Sequence, residues 1–576
     1  MAARAVRREG AGAQAGTADA GDREEPRGGG GARVSMDALN DAGRWPRAAA
    51  TLLFPGWKLS LAALFAGMAL SFFLFGFWMP YWRIADQDLI LAYQGLLLND
   101  GRPQEYFDHP GYLNHMANAA WFTLLHWLGL LQVHALSELP PAADVDGFNR
   151  AWQHLIEAGR LLSLMIGGLF VWVFATLIRR LVGDWRLAVI AAIALAYSGG
   201  FAMHIRIMRT ELLSSGLITT ALLLVLLAAR ERRSLARNMA LALAGLCAAV
   251  AVVDKVQAIL PALAIPVIAL AFGNDTRPTD GDTGDPDDAT PTGLAAGLIV
   301  LAAAVGFIAV ALMRQGMAGM ASVPMYRPLG GGLSGLYQWG IVLFVPGAML
   351  IYARLWRVRA VDAVAAIACM ALGLGVGLLS LYLRYDLRNV IAVANPLEHM
   401  FVFASAGTAA FANEPRLISD ALFSILAKGF AKAMAMHSFV LATSARPTLL
   451  LEWFAIAGAI VLWRRGERKL PLQVGLLIVA VWGLDTVFTL RGLQIPYFVY
   501  TDPILILAAV LILAHLPDLQ HRPWAQKLAL GVLVVYVTWA HLEPVKHALT
   551  RGAPQETCEW APSLLEHVER FPFCKA

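Results

Sequence analysis

The sequence predicts an all-α membrane protein that crosses a bilayer many times. Of its 576 residues, 58% are hydrophobic and 15% are charged, and the mean hydropathy is +0.58. Charged residues make up about a quarter of an ordinary soluble domain, so this composition indicates a chain in contact with lipid. Apolar runs close to the roughly 20 residues that a bilayer requires recur along the chain. These two observations predict the fold class.

The apolar runs predict about thirteen transmembrane helices. They begin near Leu59, Leu161, Leu187, Leu212, Met239, Val256, Leu294, Trp339, Val361, Leu449, Leu472, Phe498 and Leu528. Clusters of arginine between the runs fall on one side under this count, which the positive-inside rule makes cytoplasmic. An odd count then places the amino terminus in the cytoplasm and the carboxyl terminus outside. The Ala- and Arg-rich composition and short loops suggest a bacterial inner membrane.

The chain is predicted to divide into an arm, a membrane domain and a tail. Residues 1–57 show little hydrophobic periodicity and are predicted to form a disordered cytoplasmic arm. The transmembrane domain covers 58–544 and the extracytoplasmic tail 545–576. Within the domain we expect a first outer loop at 80–160 with juxtamembrane helices, an acidic cytoplasmic linker at 273–293, and an outer loop at 383–447.

One segment, Tyr112 to Leu131, is nearly long enough to span but carries His115, Asn118 and His126. Counting it as a span would move every later basic cluster outside. We therefore predict a helix that lies on the membrane or dips into it.

The two cysteines of the tail, Cys558 and Cys574, fall on the oxidising side under this topology. A disulfide between them is the favoured prediction, with two free thiols as the alternative. Cys247 and Cys369 lie in apolar runs and are expected to be inert.

Asp86 and Asp88 open a predicted helix that runs to about Leu98. Residues two apart on a helix point about 200 degrees apart, so the two carboxylates do not form a catalytic pair. One of them is a candidate general base. The alternative is that Asp86 is the helix N-cap and Asp88 a first-turn acid.

A second group of acid-base residues follows in "EYFDHPG". Pro110 restricts His109 to an extended backbone and Gly111 permits a tight bend, which would aim Asp108 and His109 at a common point. A plain turn with a solvated Asp108 is the alternative.

Several cations occur at the predicted outer ends of spans. They are Arg209 beside Glu211, Lys255, Arg388, and Arg491 ahead of Tyr497 and Tyr500. Each of them alone is typical of a basic side chain that extends from the end of a span to the membrane–water interface. Together they favour a pyrophosphate or lipid phosphate site, because Arg binds phosphate oxygens in pairs.

Charges near the middle of spans are few, and Asp485 is the clearest case. It is either a functional group or a carboxyl that packs between helices, bonded to a neighbouring Thr. The scarcity argues against an ion-coupled transporter, whose coupling sites lie at that depth.

The order of five segments resembles that of the GT-C membrane glycosyltransferases, which include protein O-mannosyltransferases and the lipid A aminoarabinose transferase. The segments are "ADQD", "FDHPG", "AGRLLSLMIGGLFVWVFATLIRRL", "HIRIMRTELL" and "RGLQIPYFVYTDPILIL". The likeness covers about 58–516. "HPG" replaces the family's "HPPL" and "DQD" its "DE", so the acceptor side and the choice of carboxylate stay open.

The resemblance implies an outer cavity roofed by the first loop and an inverting transfer of a sugar from a polyprenyl phosphate. It implies that Asp86 or Asp88 is the base, with Asp86 preferred because it lies nearer the span. Arg491, with Lys255 and Arg388, would hold the leaving phosphate. The substrate-binding candidates are Asp108, His109, Tyr497, Tyr500, Arg209 and Glu211.

The acceptor is left open among a glycolipid such as a lipopolysaccharide precursor, a glycan and a protein. No residue is assigned to a metal, although weak dependence on a divalent cation stays open. The basic clusters lie between apolar runs and do not predict a nucleic-acid partner. The competing hypothesis is a flippase or exporter of lipid-linked sugar, which would line its mid-span positions with polar groups.

Overall fold

The structure is a computed structural model that describes residues 56–83, 85–105, 111–273, 290–318, 333–382, 421–440, 446–489, 497–516, 523–550 and 555–574. Every regular element in these ranges is a helix, and eight helices there are long and apolar enough to cross a membrane. The predicted class of all-α membrane protein is confirmed.

The eight helices of spanning length occur along the whole described chain. They are α1 (Trp57–Phe72, continued by a π-helical turn at Phe73–Phe77), α4 (Val145–Val182), α7 (Thr210–Ala228), α8 (Ser234–Asp254), α10 (Thr292–Ala318), α12 (Ala360–Tyr382), α15 (Lys469–Phe488) and α17 (Pro523–Leu549).

The other helices are shorter or less apolar. They are α2 (Ala85–Asn99), α3 (Tyr112–Trp127), α5 (Trp185–Ala196), α6 (Gly199–His204), α9 (Ile259–Ala269, after a 3-10 turn at Val256–Ala258), α11 (Leu333–Leu355), α13 (Ala421–His437), α14 (Thr448–Arg464), α16 (Phe498–Ala514) and α18 (Gln555–Leu564). All thirteen predicted apolar runs begin in one of these elements, five of them outside the eight long helices.

Small residues allow a close contact between α8 and α12. A Cβ atom on Gly373 would lie 1.9 Å from the carbonyl oxygen of Ala242, and one on Gly245 would lie 2.2 Å from that of Met370. Both distances are far below van der Waals contact. Glycines of this kind let helix backbones touch, which supplies packing energy where lipid tails are as apolar as leucine.

The loops that carry the basic clusters meet at one end of the bundle, which we call the basic end. Hydrogen bonds join them in four places: Arg230 to the carbonyl of Leu181, Arg237 to Asp362, Trp356 to the carbonyl of Leu270, and Lys469 to the carbonyl of Gly273. Loops that lie far apart in sequence therefore share one side of the structure.

Helix ends that carry polar groups meet at the opposite end. The N–H of Gly111 donates to the carbonyl of Asp254, and the hydroxyl of Tyr112 donates to the carbonyl of Ser380. The first loop, the carboxyl end of α8 and the carboxyl end of α12 are thus joined.

The first loop is a small folded unit with its own apolar core. Helices α2 and α3 pack on the first part of α4. Helix α4 runs from Val145 to Val182 and is therefore much longer than a membrane span. Asp144 accepts a hydrogen bond from the N–H of Gly147 and so caps α4. Helix α3 covers most of Tyr112–Leu131 and is not one of the eight spanning candidates.

The carboxyl-terminal tail packs onto this first loop. A disulfide joins Cys558 to Cys574. His567 pairs with Glu105 at 2.9 Å, and Glu569 accepts a hydrogen bond from the N–H of Ala142. Helix α18 therefore lies on the same side of the bundle as the first loop.

Helix α1 begins at Trp57 and α17 ends at Leu549, and the predicted division into arm, membrane domain and tail stays a prediction. The arm up to residue 55, most of the acidic linker (274–289) and most of the outer loop (383–420 and 441–445) lie outside the described residues.

Candidate functional site

Asp88, one of the two candidate bases, is fully buried in an ion pair with Arg160. Its Oδ2 accepts hydrogen bonds from Nε and Nη2 of Arg160 at 2.9 and 2.8 Å. Its Oδ1 accepts from the backbone N–H of Met208 at 2.7 Å. Arg160 also donates to the carbonyls of Met79 and Pro80. Both carboxylate oxygens are engaged, so Asp88 holds the first loop to α4 and to the start of α7.

Asp86 is the second residue of α2, which begins at Ala85, so it does not occupy the N-cap position suggested as one alternative. Its side chain lies outside the described part of the structure. Four other predicted site residues, Asp108, His109, Arg388 and Arg491, also lie outside the described residues. Their roles stay predictions.

Arg209 and Glu211 meet at the start of α7. Arg209 is the N-cap residue, and its Nη2 and Nε lie 3.1 and 3.2 Å from the two oxygens of Glu211. Glu211 is in the first helical turn, where the helix dipole stabilises a negative charge. The Arg209 side chain keeps 12% of its surface exposed, whereas Glu211 is fully buried.

A break between α8 and α9 places Lys255 in the same cluster. Lys255 has an extended backbone (φ −148°, ψ 119°) between the end of α8 and the 3-10 turn. Its Nζ lies 3.1 Å from Oε1 of Glu211, and both side chains are fully buried. Glu211 therefore sits between the two basic side chains of Arg209 and Lys255, the arrangement that a buried carboxylate requires.

Asp254, next to Lys255, joins the cluster to the first loop. Its Oδ1 accepts from the N–H of Asn114 at 3.0 Å, and its carbonyl accepts from Gly111 at 2.9 Å. Gly111 has φ +58°, as the predicted tight bend requires, and a Cβ there would lie 2.3 Å from Nε2 of His115. Burial lowers the pKa of His115 to about 3, so its imidazole is neutral.

Tyr500 and Tyr497 flank the cluster from α16. The Tyr500 hydroxyl donates to Ser214 at 3.1 Å, and Ser214 donates to the carbonyl of Ala251 at 2.8 Å. Both tyrosine rings stack on Phe488. Two helices of the late part of the chain thus line up beside α7 and α8, which carry the charges.

At the end of the bundle opposite the basic end, the structure brings together six of the residues predicted from sequence: Asp88, Arg209, Glu211, Lys255, Tyr497 and Tyr500. We call Arg209, Glu211, Asp254 and Lys255 the outer charge cluster. Arg160 and Asp254 were not singled out from sequence. Arg160 sits in a helical run whose register alone does not show which face it occupies. Asp254 precedes Lys255 in "VVDK" and is the last residue of α8.

A second buried charge network lies at the same end. Arg446 donates to Asp485 at 2.6 Å and to Asp502 at 3.0 Å, and His437 bridges Glu452 at 2.6 Å and Asp485 at 3.1 Å. All five side chains are buried. Thr501 donates to the second oxygen of Asp485, which agrees with the packing interpretation of that residue.

The prediction that Asp485 lies near the middle of a span is wrong. Helix α15 runs from Lys469 to Phe488, so Asp485 is in its last turn. The predicted run began near Leu472, whereas the helix begins at Lys469, so the apolar run was placed too late in the sequence.

Chemically, the outer charge cluster offers the partly exposed guanidinium of Arg209 to an anion, whereas Lys255 and the rings of Tyr497 and Tyr500 are buried beside it. No protein-family model matches the sequence, and no curated protein or solved structure matches it either.

Proposed function

We propose that the chain is a membrane glycosyltransferase that moves a sugar from a polyprenyl phosphate to an acceptor hydroxyl on the outer side of the membrane. The observation that carries the proposal is the convergence at one end of the bundle. The first-loop carboxylate Asp88, the cations Arg209 and Lys255 with Glu211, and the tyrosines of α16 come from segments spread over the whole chain.

The topology we propose has thirteen crossings, the eight long helices together with α5–α6, α9, α11, α14 and α16. The tail packs on the first loop, so both lie on one side. The first loop follows one crossing, so an even number of crossings must separate it from the tail. The total number of crossings is then odd, and the eight long helices alone would give an even number. The hydrogen bonds that join the loops of the basic end support crossings that alternate in direction, with that end in the cytoplasm.

The proposed reaction balances without a cofactor. A carboxylate takes the proton of the acceptor hydroxyl, whose oxygen attacks the anomeric carbon of the donor sugar. The bond from that carbon to the phosphate oxygen breaks, and its electron pair leaves on the polyprenyl phosphate. The protein must supply a base, orientation and positive charge at the leaving group.

Asp86 is the base in this proposal. Asp88 is a positioning residue, because Arg160 and the N–H of Met208 already occupy both of its oxygens. Arg209 is the phosphate contact of the described cluster, since its guanidinium is partly exposed while Lys255 is buried behind Glu211. Arg491 and Arg388 remain further candidates for the phosphate.

The location of the charges supports a transferase over a flippase. Asp485, Asp502 and Glu452 lie near the ends of α15, α16 and α14 that meet at the opposite end of the bundle. A flippase moves a charged head group through the bilayer and needs polar groups at depth. The described charge networks instead sit where a lipid-borne head group would meet the outer surface.

The test is sugar transfer by the purified chain, with a radiolabelled polyprenyl-phosphate sugar and a panel of glycolipid, glycan and protein acceptors. We expect Asp86→Asn to lower kcat by at least about 100-fold, the scale of general base catalysis, with a folded protein. An Asp86→Asn variant with full activity would overturn the assignment of the base.

A further inference from the structure

The first loop carries a second cluster of imidazole and carboxylate side chains, at the end of α3 and in the connection that follows it. His126 is in the last turn of α3, His134 lies in that connection, and Glu138 ends a 3-10 turn at Leu136–Glu138. One ligand atom from each lies within 4.8 Å of the other two. The two imidazole rings are stacked with their centroids 4.1 Å apart.

We infer that His126, His134 and Glu138 form a binding site for a divalent transition-metal ion, with Zn²⁺ as the ion that fits best. Two imidazoles and one carboxylate are the ligand types that Zn²⁺ takes, whereas Ca²⁺ and Mg²⁺ take oxygen ligands alone. A fourth position stays open to water.

The hydrogen bonds of the imidazoles orient them as metal ligands. Nδ1 of His126 contacts the carbonyl oxygen of Leu131 at 3.1 Å, and a carbonyl accepts only, so Nδ1 carries the proton. Nδ1 of His134 lies 2.8 Å from Oε2 of Glu138, so a metal ion would take the place of the proton that these two atoms share. His126 would then bind through its unprotonated Nε2 and His134 through Nδ1, beside the carboxylate of Glu138. The carbonyl of Leu131 is an outer-shell partner of the kind that accompanies metal-binding histidines.

Glu138 is held in place as a carboxylate. Its Oε2 accepts hydrogen bonds from the N–H groups of His134 and Ala135. These bonds fix the carboxylate beside the two imidazoles.

The backbone around the cluster is fixed by α2. Asn99 donates to the carbonyl of His134 at 2.8 Å, and Asp100 accepts from both the N–H and the hydroxyl of Ser137. The ligands are thus presented by an ordered loop. Metal–nitrogen bonds of about 2.0–2.1 Å require the stacked rings to turn apart about their χ2 bonds. The His134 side chain is 24% exposed and that of Glu138 36%, which leaves room for this.

The site is separate from the outer charge cluster, and the inference does not depend on the proposed function. An ion bound there would join the end of α3 to the connection before α4 and so stabilise the first loop. Without a metal, His134 and Glu138 form a hydrogen-bonded pair at the 3-10 turn.

The experiment uses the full chain purified in detergent without a polyhistidine tag and stripped with a chelator. We expect binding of one Zn²⁺ per chain by calorimetry, a Zn²⁺-dependent rise in unfolding temperature, and Cu²⁺ electron paramagnetic resonance with coupling to two imidazole nitrogens. Substitution of His126→Gln or His134→Gln should weaken binding by at least about 10–100-fold. The matched control is His154→Gln, an exposed histidine on α4 that should change nothing.

Three results would overturn the inference. The first is that the native chain binds less than one Zn²⁺ per chain by calorimetry. The second is a Cu²⁺ spectrum without coupling to two nitrogens. The third is equal Zn²⁺ affinity in the native chain and both histidine variants. The spectrum is read on the native chain, so it decides the question even if a variant does not fold.

Discussion

Arg160 and Asp88 form a fully buried ion pair in which both Nε and Nη2 of the guanidinium donate to one carboxylate oxygen. The other oxygen accepts from the N–H of Met208, the residue before the N-cap of α7. This pair connects the first loop, α4 and the start of α7. It therefore determines where Arg209 and Glu211 stand relative to the first loop.

The first prediction concerns that pair. Replacing Asp88 by Asn leaves Arg160 buried without its counter-charge, so we expect a loss of about 3–5 kcal/mol in the free energy of unfolding. Thermal unfolding in detergent measures it. Asp86→Asn is the matched control, with an expected change within about 0.5 kcal/mol.

This difference in stability distinguishes Asp88, as a positioning residue, from Asp86, as the proposed base. If Asp86→Asn destabilised the chain as much as Asp88→Asn, the division into one base and one positioning residue would be wrong.

The second prediction concerns the pairing of Lys255 with Glu211. Each single variant, Lys255→Met and Glu211→Gln, leaves its partner buried with reduced compensation and should destabilise the chain strongly. The double variant should be less destabilised than the sum of the two. The coupling energy from this double-mutant cycle is expected to exceed about 1 kcal/mol. Strict additivity would contradict a direct pair.

The third prediction concerns pH and His437. Burial opposes the imidazolium, but the hydrogen bonds that His437 donates to Asp485 and Glu452 outweigh burial and raise the pKa of His437, with Arg446 acting against them. A group whose pKa is raised by folding stabilises the fold fully below its unfolded pKa, about 6.5, and loses this contribution as pH rises through the folded value.

The measurement is unfolding temperature against pH for the native chain and His437→Gln. The native chain should exceed the variant most below about pH 6.5, and the gap should shrink as pH rises above the folded pKa of His437. The exposed His154→Gln serves as control. A gap that grows as pH rises would contradict the assignment.

The fourth prediction concerns the tail. Opening the disulfide with Cys558→Ser or Cys574→Ser, which releases a loop with a sequence separation of 16, should cost about 3 kcal/mol. The single variants and the double variant should be equally destabilised, as read by chemical unfolding. Replacing the buried free Cys369 by Ala is the control for loss of a thiol alone.

The fifth prediction concerns topology. Single cysteines introduced at Glu231 and Glu467, exposed near the basic end, should resist a membrane-impermeant maleimide in intact cells. A cysteine at Leu130, exposed on the first loop, should react. The native cysteines contribute little background, because two form the disulfide and two are buried. Labelling of all three positions alike would contradict the proposed alternation.

Much of the fold follows from sequence, because apolar length alone determines where spans can lie. All thirteen runs begin in helices or their leading turn, and the tight bend at Gly111 is present. The site follows only in part. Nothing in the sequence shows that Arg160 faces Asp88 across 72 residues, since the pairing depends on how the first loop folds back on α4.

The buried networks were harder to predict because their partners come from separate helices. Arg446, Asp485 and Asp502 are isolated charges in the sequence and meet only when α14, α15 and α16 pack together. The misplaced Asp485 shows the same limit, since composition does not mark the residue at which a helix ends.

The most direct test of the account is one reconstitution. The native chain is placed in liposomes with a radiolabelled polyprenyl-phosphate sugar and a membrane glycolipid extract as acceptor, and both products are followed. For a transferase we expect a new glycoside together with an equal amount of released polyprenyl phosphate. Movement of intact donor across the bilayer, with no glycoside formed, would contradict it and establish a flippase.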